Sequence, residues 1–330
     1  MTLAQSRVIF TLADIHQAAG ELLATHPGAV VTWRLLREVL RAQPDDPRML
    51  EVKRALKSDR WVRQLEMSQL ADGSWGRFHS QDTRLKTAFR TTEEAIDRAF
   101  ALGLEPAASP LADVRRYILN VLDGKARLTD RDEKHPAWPL GIKFILAGRL
   151  AQLDPRHSRI DNYWSYLAEV ARQAFSSGSY RMEDEVSAYL RLSGIHWPQG
   201  FLDSQHVLWI LSARQLPSQL EHDLIHWVWR KPDGIRYLTA PVCQLNPRQI
   251  GPWLRSMTIL SRFAVWREIC LDSLNRLWEG RDGAGFWDFG SHIARTIDFP
   301  LSTDWHKRER RKLDYSTCLL VLLRRYFDPT

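Results

Sequence analysis

Long apolar runs are missing from this 330-residue chain. No stretch nears the roughly 18 apolar residues that a membrane span needs. The apolar segment from Cys318 to Leu323 is followed at once by Arg324 and Arg325. Cysteine is scarce as well. Cys243, Cys270 and Cys318 are far apart and odd in number, which argues against a disulfide framework and against a Cys-x-x-Cys zinc site. The opening residues, "MTLAQSRVIFTLADIHQAAG", lack a basic start followed by an apolar core, so no secretion signal is expected and a reducing, cytoplasmic setting follows. Alternating stretches rich in Val, Ile and Thr are nearly absent, which speaks against strands. There is no Gly-x-Ser-x-Gly elbow and no Gly-rich phosphate loop. "DDPRM", Asp45 to Met49, has two of the three carboxylates of a magnesium–diphosphate motif and reads instead as a turn before a helix.

The chain is otherwise ordinary for a soluble globular protein, with 44% hydrophobic and 26% charged residues. Its net charge is +7 and its sequence pI about 9.4. The densest basic run, "HKRERRK" from His306 to Lys312, reads as a solvated helix face. Without a recognition motif beside it, nucleic acid is not an expected partner, while peripheral contact with an anionic surface stays open. The eleven histidines are scattered. His222 and His226 share a helix face at i, i+4, but outside a His-Glu-x-x-His pattern, and read as structural or surface residues.

Helical spacing dominates. Trp33, Leu36, Val39 and Leu40 form one stripe, and Val52, Leu56, Trp61 and Leu65 another. "TTEEAIDRAFALGL" opens with Thr91 and has Glu94 three positions on, a capping-box spacing, and Gly103 stops it. Ser109-Pro110 starts another helix that ends near Gly124. Glycines recur after the helical segments at Gly73, Gly124, Gly178, Gly234 and Gly283, spaced 51, 54, 56 and 49 positions apart. An aromatic residue often follows, as in Trp75, Tyr180, Tyr237 and Trp287. A period of about 50 residues fits a helical hairpin plus its connections. The pattern predicts an all-α protein, an α/α toroid with inner and outer helix layers. The toroid is expected over residues 60–330, with a helical extension over 1–59.

"QLADGSWG" carries the clearest local signal. Gly73 permits a tight turn. Asp72 is suited to accept from backbone amides. Trp75 is large enough to tie neighbouring hairpins together, against Gln69 or beyond, and Gly76 follows it. This stretch resembles the Gln-Trp repeat of the squalene cyclase and protein prenyltransferase superfamily. "DGAGFWDFGS" resembles a divergent second copy, and "LDYSTCLLVLLRRY" the closing helix of such toroids. The resemblance implies the toroid fold, with Gln69, Asp72, Gly73, Trp75 and Gly76 as a structural staple. It also implies an isoprenoid connection.

The departures from that superfamily are specific. The Asp-x-Asp-Asp acid of class II terpenoid cyclases is missing. The nearest acidic clusters, Glu183-Asp184-Glu185 and Asp130 with Asp132 and Glu133, read as solvated loop or helix ends. At the prenyltransferase zinc positions, Asp288 stands where a ligand is wanted. Gly290 replaces the Cys two residues on, and Ser316 follows Asp314-Tyr315 where the His would stand. Neither a metal nor another cofactor is therefore expected.

Two functions from different classes remain. The first is a cavity protein that binds or transforms an apolar, isoprenoid-like ligand, any chemistry being of cyclase type. The second is a non-catalytic toroid that presents a face to a protein or an anionic partner. For the first, a closed ring is expected to gather His79, Asp82, Glu93, Asp288, Asp304, Arg311 and Asp314 at one mouth. Glu93, Asp314 and His79 are then the catalytic candidates, with a raised pKa expected at Glu93 or Asp314. Arg311, Asp288, Trp287 and Trp305 are the ligand-binding candidates.

Overall fold

A computed structural model describes residues 7–80, 88–131, 134–291 and 297–328. Among these residues there are fifteen α-helices and no β-strand, as the periodicity predicts. In chain order they are α1 (Leu12–Ala24), α2 (Ala29–Arg34), α3 (Pro47–Leu56), α4 (Arg60–Ser68), α5 (Thr92–Ala101), α6 (Leu111–Leu122), α7 (Trp138–Leu153) and α8 (Asp161–Ala174). There follow α9 (Met182–Ser193), α10 (Gln205–Leu211), α11 (Ser218–Arg230), α12 (Ile250–Leu260), α13 (Trp266–Ile269), α14 (Leu271–Glu279) and α15 (Arg308–Arg325). Among the described residues, no helix is long and apolar enough to cross a membrane.

The chain divides into two compact units. The first comprises Met1–Met67, Asp97–Leu104 and Cys243–Thr330, and the second Ser68–Ile96 and Glu105–Val242. Each is built around one helix that is buried on nearly every side over much of its length. In the first unit this is α15, whose residues Leu313 to Leu323 are all buried. It packs against α1, α2 and α12. In the second unit it is α7, buried from Ile142 through Ala151 except at Lys143. Gly148 lets α10 lie directly against α7, since a Cβ there would stand 2.7 Å from the His206 carbonyl oxygen.

Of the stripe Trp33, Leu36, Val39 and Leu40, the first three are buried and Leu40 is only half-buried, and its helix changes hydrogen-bond pattern. Residues Leu35–Val39 form a π-turn rather than a continuation of α2. Asp46 caps α3 by accepting from the Arg48 amide at 2.8 Å, so Asp45-Asp46-Pro47 is a helix start and not a metal motif. At the head of α5 half of the capping box forms. The Glu94 amide donates to Thr91 Oγ1 at 3.2 Å, while the Glu94 carboxylate reaches back to the Arg90 amide at 2.9 Å.

"QLADGSWG" folds as a tight turn. Gly73 has φ +92°, and a Cβ there would meet the Asp113 carbonyl oxygen at 2.5 Å. Asp72 Oδ1 accepts from the Ser74 amide at 2.9 Å. Gln69 Nε2 donates to the carbonyls of Gly73 and Pro110, each at 2.9 Å. Trp75 is buried and its amide donates to Thr92 Oγ1 at 2.9 Å. "DGAGFWDFG" repeats this wiring in the first unit. The bonds Leu70 N–H to Ser74 O and Gly73 N–H to Leu70 O recur, 212 positions on, as Asp282 N–H to Phe286 O and Gly285 N–H to Asp282 O. The Trp287 amide donates to Ser316 Oγ at 3.1 Å, as that of Trp75 does to Thr92. The glycines with positive φ in this copy are Gly285 (+81°), which matches Gly73 in the turn, and Gly290 (+85°), not Gly283, which corrects the fifth position of the period.

Candidate functional site

The second unit gathers its polar side chains around Glu93. Two turns present it. His79 sits just past the Trp75 turn, where Asp130 holds the backbone by accepting from the amides of Phe78, His79 and Ser80 at 2.6–2.8 Å. Glu93 stands in the first turn of α5, pinned by the bond from Thr92 N–H to Arg77 O. His79 Nδ1 lies 2.5 Å from Glu93 Oε2. From α7, Arg149 Nε donates to Glu93 Oε1 at 2.9 Å, and its Nη1 donates to Gln152. From α10, His206 Nε2 approaches Glu93 Oε1 at 3.5 Å. One ligand-capable atom from each of His79, Glu93 and His206 falls within 4.8 Å of the others. Among the described residues, no other group of three His, Cys, Asp or Glu side chains meets that condition.

Burial grades across this cluster. His206 is fully buried, Arg149 is 1% exposed, and His79 is only part-buried. Burial alone would push the Glu93 pKa up, but His206, Arg149 and His79 together hold the carboxyl well below the usual range. The expected raised pKa is therefore corrected for Glu93: its neighbours are cationic or hydrogen-bond donors, and it stays a carboxylate. Rings surround the open side. The His79 ring centroid lies 6.1 Å from Trp138 and 5.8 Å from Tyr237, and His206 lies 5.5 Å from Tyr237. Tyr237 is 47% exposed and has φ +73°, a left-handed backbone that a bulky residue rarely adopts. Behind it Phe201, Trp197, Tyr189 and Phe144 continue inward as an aromatic array.

The remaining candidates lie in the first unit. Asp314 is fully buried in α15 and accepts from the amides of Leu301 and Ser302 and from Ser302 Oγ at 2.5–2.9 Å. Burial raises its pKa to about 6, against the lowering effect of those bonds and of Arg98. Asp288 and Arg311 form a two-pronged ion pair at 2.9 and 3.1 Å. Trp287 is buried beside Trp278 and donates from Nε1 to the Leu277 carbonyl. Trp305 is buried against Phe299 and Tyr315. Asp82 lies outside the described residues.

The acidic clusters need correction too. Glu185 is no solvated helix end. It is fully buried and accepts from the amides of Phe201 and Leu202 and from Tyr180 Oη. Asp130 is occupied by the His79 loop, and Asp132 and Glu133 lie outside the described residues. The basic run is largely compensated within its own unit: Lys307 pairs with Asp304, Arg308 and Arg311 with Asp288, and Lys312 with Asp282.

Arg149, His206 and Tyr237 complete the cluster without having stood out as site residues in the sequence. Arg149 had a visible signal, as a lone cation near the middle of the apolar segment "FILAGRLAQL". His206 had none, being one of eleven histidines, with its glycine partner 58 positions away. No family model, no curated protein and no solved structure matches the chain.

Proposed function

We infer that the protein is an α/α toroid of the terpenoid-cyclase kind whose working centre is the His79–Glu93–His206 cluster, and that it takes a mainly apolar, isoprenoid-like ligand there. The observation that carries this reading is the pairing of a largely buried, charged cluster with the exposed Tyr237 ring and the half-buried Trp138 ring at its rim. A carboxylate held between two imidazoles and a guanidinium is an expensive group to bury for stability alone. Tyr237 and Trp138 beside it offer an apolar surface that solvent already reaches. The toroid is supported by the matched wiring of the two tryptophan turns, with the left-handed glycines at 73, 124, 178, 234 and 285, five of ten with positive φ among the described residues, near the repeat spacing. Glu93 and His79 are the acid–base pair of this reading, with Arg149 fixing the carboxylate. An anionic partner on the basic run has less support, because acids of the same unit already occupy most of those cations.

Dansyl-labelled farnesol tests this reading. Excitation of tryptophan is expected to give saturable transfer to the dansyl group. Trp138→Phe removes much of the transfer, and Tyr237→Ala weakens binding about tenfold with unchanged melting. Saturable binding that neither substitution alters overturns the reading.

A further inference from the structure

We propose that His79, Glu93 and His206 bind a divalent first-row metal ion of the zinc class. This deepens the reading above, because it rests on the same cluster being the working centre. Two imidazoles and one carboxylate are donors suited to such ions and unsuited to calcium or magnesium alone. Their atoms already converge within 4.8 Å. In tetrahedral geometry, metal–nitrogen and metal–oxygen bonds of about 2.0–2.2 Å place neighbouring donors roughly 3.3–3.6 Å apart. His206 Nε2 stands 3.5 Å from Glu93 Oε1, close to that spacing, while His79 Nδ1 lies against Oε2, so each imidazole faces a different oxygen of the carboxylate and Oε1 is shared with Arg149. The His79–Glu93 separation of 2.5 Å must open by about 1 Å to admit the ion. His79 is the member able to move, since it is part-buried and sits on a loop rather than a helix.

The supporting groups fit the same assignment. Arg149 grips Glu93 Oε1, and Asp130 grips the His79 backbone, so two of the three donors are oriented by a further layer of hydrogen bonds. Three protein donors leave at least one position open, and the side with exposure is the one rimmed by Tyr237. That is the arrangement of sites that hold a water or a ligand on the metal rather than of closed structural sites. The residues are not those at which the superfamily resemblance places zinc, where this chain has Asp288, Gly290 and Ser316. The proposal therefore stands on the cluster itself.

The full chain, stripped with EDTA and dialysed, is titrated with Zn(II) by calorimetry, and Co(II) is added in parallel for its visible absorption. One equivalent per chain is expected. His79→Ala and Glu93→Gln each weaken binding about 100-fold, while His222→Ala, which removes the exposed member of the His222–His226 pair, leaves it unchanged. Melting curves of the zinc-free variants establish that they fold, and His79→Ala on its loop is the one expected to melt as the parent does. Absence of binding, binding unaffected by His79→Ala in a folded variant, or binding lost in His222→Ala overturns the proposal. Dansyl-farnesol transfer without any zinc binding overturns the metal and leaves the apolar-ligand reading standing. Zinc binding that obeys the variants without any transfer supports the metal and overturns that reading.

Discussion

Arg149 shows what one buried charge demands. In the apolar α7 it has 1% of its surface exposed, and it is compensated by Glu93 at 2.9 Å. Arg149→Met leaves Glu93 buried without its guanidinium and is expected to cost about 3–5 kcal/mol, with the double variant Arg149→Met/Glu93→Gln recovering most of it. Urea unfolding of the two variants measures this, and equal losses in both would contradict the pairing. Asp314 gives a pH prediction. Its carboxyl is raised from 3.8 to about 6 in the fold, so the folded state holds the proton more tightly than the unfolded chain. The stability from this group is present below about pH 4 and is lost as pH rises through about 6, by at most about 3 kcal/mol. Asp314→Asn flattens that part of the curve, and an unchanged slope in the variant would count against the assignment. Arg149 leaves only a faint trace in the sequence, a lone cation in an apolar stretch, and it did not stand out there as a site residue. Its pairing with Glu93 leaves no trace, because which acid meets it is decided by tertiary packing.

The tryptophan turns are the elements the sequence specifies best. Asp72, Gly73 and Trp75 do locally what their chemistry dictates, and their wiring returns in "DGAGFWDFG". The two copies differ in how tightly they are enclosed. A Cβ on Gly73 meets a carbonyl oxygen at 2.5 Å, whereas one on Gly285 meets only the Glu21 side chain at 4.0 Å. Gly285→Ala should therefore lose about 1–2 kcal/mol for its left-handed φ alone, and Gly73→Ala clearly more. Trp75→Ala is expected to lose about 3–5 kcal/mol. Thermal melting ranks the three variants, and a Gly285→Ala loss equal to that of Gly73→Ala would contradict the packing argument. What the pattern did not disclose is the π-turn at Leu35–Val39, since apolar spacing is nearly the same for both helix types over one turn. Nor did it disclose the shift from Gly283 to Gly285, because both glycines lie in the same short loop.

Across the whole molecule the helical class was legible from periodicity, and the site only in part. His79 and Glu93 drew notice because each lies near the motif turn, 14 positions apart. His206 joins them through the contact of α10 with α7 at Gly148, a long-range packing event that no local pattern encodes. The claim that binds these observations together is that His79, Glu93 and His206 jointly bind one metal ion. Anomalous X-ray scattering at the zinc edge, from crystals grown with Zn(II), tests it most directly. The account predicts one strong peak within bonding distance of all three side chains, beneath Tyr237. A peak confined to His222 and His226, or no peak at a protein side chain, would contradict it.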